Sequence, residues 1–317
     1  MVTGQGLLRL VLLAFIWSGY AAAWNLFSGF SGYISFGHAV FFGLGGFTST
    51  VLLADYGVTP WIGMIAGALV AVAAAIVIGL VTFRAGLSGI YFALSVLAFP
   101  LILAPVLVWL GYIELSVPFN NDQPYYYMSF RGLFEYYYIA LGMLLFTMAV
   151  CWKVQRSRLG FYLQAIKSSE EAAESLGVSA MRYKLYALSL SAFLSAMLGT
   201  VYTQVNYIFA TQGIFSVHVS AEPVILAVAG GLGTLYGPLV AGLTLFPLAE
   251  MLRSSYGSVI PGIHNIIYGI VLIVVIIYFP DGLYASLRQR IIGDADKPEG
   301  STTSSDMKSS TSTERSD

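Results

Sequence analysis

Ser31, Ser35, His38, Glu222 and Thr234 carry hydrogen-bonding or ionisable groups inside stretches otherwise suited to lipid. Polar groups at membrane depth persist when they pair with one another, pair with backbone, or meet a polar solute, so these residues are the candidates for a translocation pathway. Ser35 and Thr234 lie within glycine-interrupted apolar runs, where a broken helix frees backbone groups for a solute alongside the hydroxyls. For His38 we expect a neutral ring hydrogen-bonded to backbone. For Glu222 we expect a carboxylate capping a helix N-terminus, where the dipole favours negative charge. No group of His, Cys, Asp and Glu has metal-ligand spacing, and no serine, histidine and acid stand in an arrangement distinct from chance. The chain is therefore read as neither an enzyme nor a metalloprotein.

A second kind of chemistry is concentrated between two hydrophobic stretches, in the polar island 153–184. Its centre contains Glu170, Glu171, Ala172, Ala173 and Gly177. Ser168 with Glu171 three residues on reads as a capping box, and Gly177 is the residue type that ends a helix in the left-handed conformation. A capped helix of about two turns is marginal alone in water, so it must be stabilised by packing on the membrane domain, on a partner, or on both. The island is expected to be a docking element.

What positions these groups is set by composition. Hydrophobic residues make up 57% of the chain and charged residues 10%, against roughly a quarter charged in soluble domains; the mean hydropathy is +0.78. The fold expected is all-α, a polytopic integral membrane protein. Apolar stretches fall at 7–27, 30–53, 61–83, 90–112, 134–152, 185–209, 223–252 and 263–279, about eight in all. Each is continuously apolar rather than alternating, which selects helices over a barrel. The first stretch is read as a retained span despite the run Ala21, Ala22, Ala23, because its start is poorly basic and the polytopic chain continues.

Lys and Arg crowd the polar island, whereas the 114–135 loop holds Arg131 alone among basic residues, so the island is read as cytoplasmic. Arg288 and Arg290 place the C-terminus on the same side. An even number of crossings must then follow the island. The long stretch 223–252, interrupted by Gly230, Gly231, Gly233, Gly237 and Pro238, is accordingly read as a re-entrant pair of half-helices entering and leaving on the outer side. The early run with Gly29, Gly32, Gly37, Gly43, Gly45 and Gly46 is interrupted similarly. Such paired interruptions point to discontinuous helices around a pathway, although glycine also permits close helix packing.

Four segments, in this order and spacing, resemble the LivM-type permeases of branched-chain amino acid importers powered by ATP-binding cassette subunits. They are SGYISFGHAVFFGLG at 31–45, GIYFAL at 89–94, AIK at 165–167 leading to EEAA at 170–173 and Gly177, and GGLGTLYGP at 230–238. The resemblance covers about 25–284. It implies a bacterial-type inner-membrane subunit that works with a LivH-like second permease, two ATP-binding subunits and an extracytoplasmic solute-binding protein. It further implies that Glu170, Glu171, Ala172, Ala173 and Gly177 sit in a cleft of the ATPase. The chain lacks a G-x-x-x-x-G-K-[ST] phosphate loop, so ATP would be bound by the partners and no cofactor by this chain. The outer loop at 114–127 departs from the family's glycine-rich pattern, which leaves urea or a short-chain amide as the alternative solute. A secondary transporter or channel is the alternative from a different class, but would not need a capped docking helix.

The domain reading is a permease domain at 1–292, with the coupling loop 153–184 inside it, and a disordered cytoplasmic tail at 293–317 rich in Ser, Thr, Asp and Lys. Trp61, Trp109 and Trp152 fall near span ends, as interfacial belts require. Glu250 and Arg253, three apart, are expected to pair. Cys151 has no second cysteine to join, and neither the net charge of −1 nor any basic tract suggests nucleic acid.

Overall fold

The computed structural model describes residues 4–120, 122–256, 269, 273, 277–279 and 282–286. The eighth apolar stretch lies largely outside these residues, and the 293–317 tail wholly so. In chain order the elements are α1 (Gly4–Ser31), α2 (His38–Tyr56), α3 (Pro60–Arg84), α4 (Gly89–Trp109), β1 (Glu114–Ser116), α5 (Pro124–Tyr127), α6 (Leu133–Gln155), α7 (Arg158–Ser168), α8 (Glu170–Ser175), α9 (Ala180–Asn206), β2 (Ile208–Ala210), α10 (Thr211–Ile214), α11 (Val217–Gly230) and α12 (Gly237–Tyr256). Among the described residues seven helical segments are long and apolar enough to span a membrane, the last being Thr211–Gly230. The protein is an all-α, multi-pass membrane protein. Among the described residues two three-residue strands pair antiparallel, Leu115 opposite Phe209.

Helix α1 is the hub, packed against α6, α12, α9 and α11. Ala21, Ala22 and Ala23 are buried in the middle of it, so the alanine run brings neighbouring helices close. Around the hub, α2, α3 and α9 pack on one another. A Cβ on Gly199 would collide with the Phe42 carbonyl, and one on Gly45 with the backbone of Ala196; this contact between α2 and α9 needs glycine on both sides. By contrast α3 and α4 present Ile62, Leu69, Val77, Leu94 and Ile102 outward, as lipid-facing helices must.

The interruptions read from the sequence are real, with different boundaries. Residues 32–37 are not helical, so the stretch taken as 30–53 divides: Phe30 and Ser31 finish α1, and α2 begins at His38. The linker dips back along α1, where the Trp24 indole donates to the Ser35 carbonyl at 2.7 Å. The stretch taken as 223–252 is two helices, α11 and α12, joined by a turn at 231–236. That turn lies against Asn25 of α1, whose carboxamide donates to the Thr234 carbonyl and accepts from the Gly233 N–H, each at 2.8 Å. It faces the end of the bundle that carries α7 and α8, while the open ends of the hairpin lie at the opposite end.

Glu250 and Arg253 approach to 3.9 Å on α12. Trp61 begins α3, Trp109 ends α4 and Trp152 lies in the last turn of α6, all three partly or largely exposed.

Candidate functional site

The centre of the polar island folds as two helices, α7 and α8, with the cap of α8 one residue later than expected. Ser169, not Ser168, is the N-cap of α8: its hydroxyl accepts from the Ala172 N–H at 3.3 Å. The Ser168 hydroxyl instead donates back to the Gln164 carbonyl, closing the preceding helix α7. This earlier helix went unrecognised in the sequence; Leu163 and Ile166, both buried and three apart, are its signal. Gly177 has φ +86° and ends α8 in the left-handed region, as expected.

The residues singled out on α8 divide by face. Ala173 is buried against Ile166 and Ala180. Glu170 turns inward, where its Oε1 accepts from the Lys184 ammonium at 2.6 Å and its Oε2 from the Tyr33 hydroxyl at 2.6 Å. Lys184 also reaches the Tyr33 oxygen at 3.2 Å and lies 4.4 Å from the centroid of that ring. Only 4% exposed, this lysine places a cation under a lid of aromatic faces, with a carboxylate to balance it. Burial pushes the Glu170 carboxyl up, but the hydrogen bonds from Lys184 and Tyr33 and the lysine charge outweigh it and hold the group below its usual value. Burial, then the bond to Glu170, drives the Tyr33 hydroxyl well above its ordinary value, so it stays a donor. Glu171 and Ala172 face outward with Glu174 and Leu176, and Leu176 is 85% exposed.

A second tie runs from α7. The Lys167 ammonium donates to the Gly29 carbonyl at 2.9 Å, and Gly29 lies beside the Gly233 N–H. Both interruptions therefore touch the α7–α8 segment: the linker after α1 through Tyr33, and the turn between α11 and α12 through the ground shared by Lys167, Gly29 and Gly233.

His38 is fully buried and bridges two hydroxyls rather than binding backbone as expected. Its Nδ1 lies 2.9 Å from Ser35 Oγ and its Nε2 2.8 Å from Ser191 Oγ. Because Ser191 spends its hydrogen on the Ala23 carbonyl at 2.6 Å, it must accept from Nε2–H, which leaves Nδ1 to accept from Ser35. Ser31 donates to the Phe27 carbonyl, and Thr234 donates to the Gly231 carbonyl while accepting from the Gly237 N–H. These four side chains are thus fully engaged within the fold.

Glu222 behaves differently, and not as the expected cap. Ser216 caps α11, accepting from the Val219 N–H; Glu222 lies mid-helix because the helix starts before Pro223 rather than at it. It lines a cavity of about 900 Å³ at the end opposite α8, together with Arg9, Leu13 and Trp17 of α1, Tyr202 and Asn206 of α9, and Phe246, Glu250 and Arg253 of α12. Arg9, Trp17 and Asn206 carried no sequence signal for this role. Among the described residues no cluster of His, Cys, Asp and Glu fit to hold a metal is present.

Known proteins place this architecture. The family described as "Branched-chain amino acid transport system / permease component" matches residues 6–276. The chain is 24% identical to the high-affinity branched-chain amino acid transport system permease protein LivM of Escherichia coli (strain K12), over 92% of this chain and 72% of that protein. It is likewise 24% identical to the protein of the same name from Salmonella typhimurium, over 84% of this chain and 67% of that one. No solved structure matches closely enough to count as a relative. With seven apolar spanning segments among the described residues and a family match over most of its length, the chain belongs to the permease components of branched-chain amino acid transport systems.

Proposed function

We propose that this protein is one permease half of an ATP-driven importer that carries branched-chain amino acids across a bacterial-type inner membrane by alternating access. The observation that carries the reading is the seating of α8: Glu170 and Ala173 are turned into the membrane domain, leaving Glu171, Ala172, Glu174 and Leu176 as an outward face. A leucine so exposed at the tip of a short, capped helix suits insertion into a partner's cleft. The partners implied are a LivH-like second permease, two ATP-binding subunits that supply hydrolysis, and a solute-binding protein at the opposite end. The α8 end, and with it the C-terminus, would be cytoplasmic. The names of the relatives favour amino acids over urea or amides as the solute.

In mechanism, movement of the ATPases displaces α8. Because Glu170 is bonded to both Tyr33 and Lys184, and Lys167 to Gly29, that displacement reaches the linker before α2, the start of α9 and the end of α1 together. Packed helices respond by rigid-body shifts between discrete arrangements, which opens the pathway to one side at a time. In this reading Ser31, Ser35, His38 and Thr234 hold the breaks in shape, and Glu222 faces the solute's route. The test is leucine uptake into liposomes bearing the chain with its partner subunits. Accumulation should require internal ATP and the solute-binding protein and should fall strongly in Leu176→Asp; accumulation driven by an ion gradient without ATP overturns the proposal.

A further inference from the structure

The 900 Å³ cavity is lined by an acid and a base, Glu222 and Arg9, that have no oppositely charged partner among the described residues. Glu222 is 5% exposed, yet among the described residues its carboxylate has neither a hydrogen bond nor an ion-pair partner. Arg9, at the mouth, donates to the neutral Asn206 carboxamide at 3.0 Å and pairs with no described carboxylate. The cavity's other ionisable side chains are His218, one turn before Glu222 on α11, and Glu250 and Arg253, which approach each other to 3.9 Å. An unpaired buried carboxylate is costly, and a fold that keeps one beside open space is complementary to something that enters carrying positive charge. The same cavity has an apolar part, Leu13, Trp17 and Phe246, with the Trp17 and Phe246 rings stacked at a centroid distance of 5.8 Å, beside the polar side chains of Tyr202, Asn206 and Ser216. Small-molecule sites combine apolar surface with polar groups that fix orientation, and both are present here.

We propose that this cavity is a solute-receiving site for a zwitterion with an apolar body, in which Glu222 accepts the ammonium, Leu13, Trp17 and Phe246 take the hydrocarbon, and Arg9 meets the carboxylate. The inference deepens the transport reading and rests on it for the choice of solute. It assigns direct solute contact to this subunit, and the recognising groups lie on α1 and α11, the helices whose far ends border the two interruptions. Solute bound here would therefore bias the same helices that α8 moves.

The test is ligand-observed saturation-transfer NMR on the complex purified without its solute-binding protein, using L-leucine, isopentylamine and 4-methylpentanoate as probes. The expected order is leucine strongest, isopentylamine next and 4-methylpentanoate weakest, since the last offers Glu222 a second negative charge. Glu222→Gln should weaken leucine and isopentylamine at least tenfold, Glu222→Asp should retain part of the binding, and Arg9→Gln should weaken leucine while leaving isopentylamine unchanged. Equal binding of the amine and the acid by the wild-type protein overturns the proposal without recourse to any variant, as does unchanged leucine binding in Glu222→Gln. If leucine binds as expected but ATP never drives its uptake, the transport reading fails and the site stands; if uptake is ATP-driven but Glu222→Gln transports normally, the site fails and the transport reading stands.

Discussion

The Lys184 ammonium lies 2.6 Å from Glu170 Oε1, and this bond joins the first residue of α8 to the second turn of α9, a helix that runs the whole height of the bundle. Hydrogen bonds to charged groups contribute about 1.5–3 kcal/mol, so Lys184→Met should lower the equilibrium constant for seating α8 by roughly tenfold or more. Basal ATP hydrolysis by the assembled complex should persist while hydrolysis coupled to uptake falls. Tyr33→Phe, which removes one bond and keeps the ring over Lys184, should cost less. Uptake and hydrolysis measured together on reconstituted complexes check this; a parallel loss of both would mean that the contact serves assembly alone.

The same contact has a pH signature. Glu170 is held below the ordinary carboxylate value of 4.5, so its stabilising contribution is complete above that value and is lost as pH falls through the lowered one. Amide exchange in α8 should therefore be flat from about pH 5 to 8, and should accelerate only under stronger acid. Acceleration on moving from pH 8 to 6 would show that another group controls the seat.

The ends of α8 offer a sharper comparison. Ser169→Ala removes the cap that satisfies the Ala172 N–H and should destabilise the helix by about 1 kcal/mol, whereas Ser168→Ala should change little in α8. Gly177→Val forces a β-branched residue to φ +86°, at roughly 1–2 kcal/mol. No atom lies within 4 Å of the Cβ it would add, so the loss would come from backbone strain, not collision. Co-purification with the ATPase should weaken for Ser169→Ala and Gly177→Val while membrane insertion is unchanged.

Local rules made much of this legible. Apolar length and the glycine interruptions gave the helices and the breaks between α1 and α2 and between α11 and α12, since both are written within a dozen residues. The cap was displaced by one because Ser168 and Ser169 satisfy similar patterns, and only the path of α7 decides which hydroxyl is free. Glu170 and Lys184 are fourteen positions apart and Asn25 is over two hundred from Gly233; no spacing rule connects them. Asn25 is an amide within the apolar run 7–27, but that alone does not say what it meets. The cavity was invisible because its walls come from α1, α9, α11 and α12, and Glu222 looked like a cap only while the helix was thought to begin at Pro223.

His38 separates a positioning role from a pathway role. Ser191→Ala leaves the His38 Nε2–H without its acceptor in a buried site, which should cost about 1–3 kcal/mol, and Ser35→Ala should cost less because Nδ1 then lacks only a donor. Melting temperature should fall in that order, and uptake per folded complex should stay near wild type. Normal stability with depressed uptake in both variants would return these hydroxyls to the solute's route.

Sidedness is the last expectation. Glu174 on α8 and Asp55 at the end of α2 are exposed at opposite ends of the bundle, and Cys151 is buried, so single cysteines can be placed in a Cys151→Ser background without a competing thiol. Asp55→Cys should react with an impermeant thiol reagent in intact cells, and Glu174→Cys only after permeabilisation. Gln212→Cys, on α10 beside the open end of the hairpin formed by α11 and α12, should label with Asp55→Cys. If Glu174→Cys labels from outside, the docking face cannot meet an ATPase and the orientation is reversed. If Gln212→Cys instead follows Glu174→Cys, the hairpin opens toward the docking end, and the charged cavity that it borders faces the cell interior.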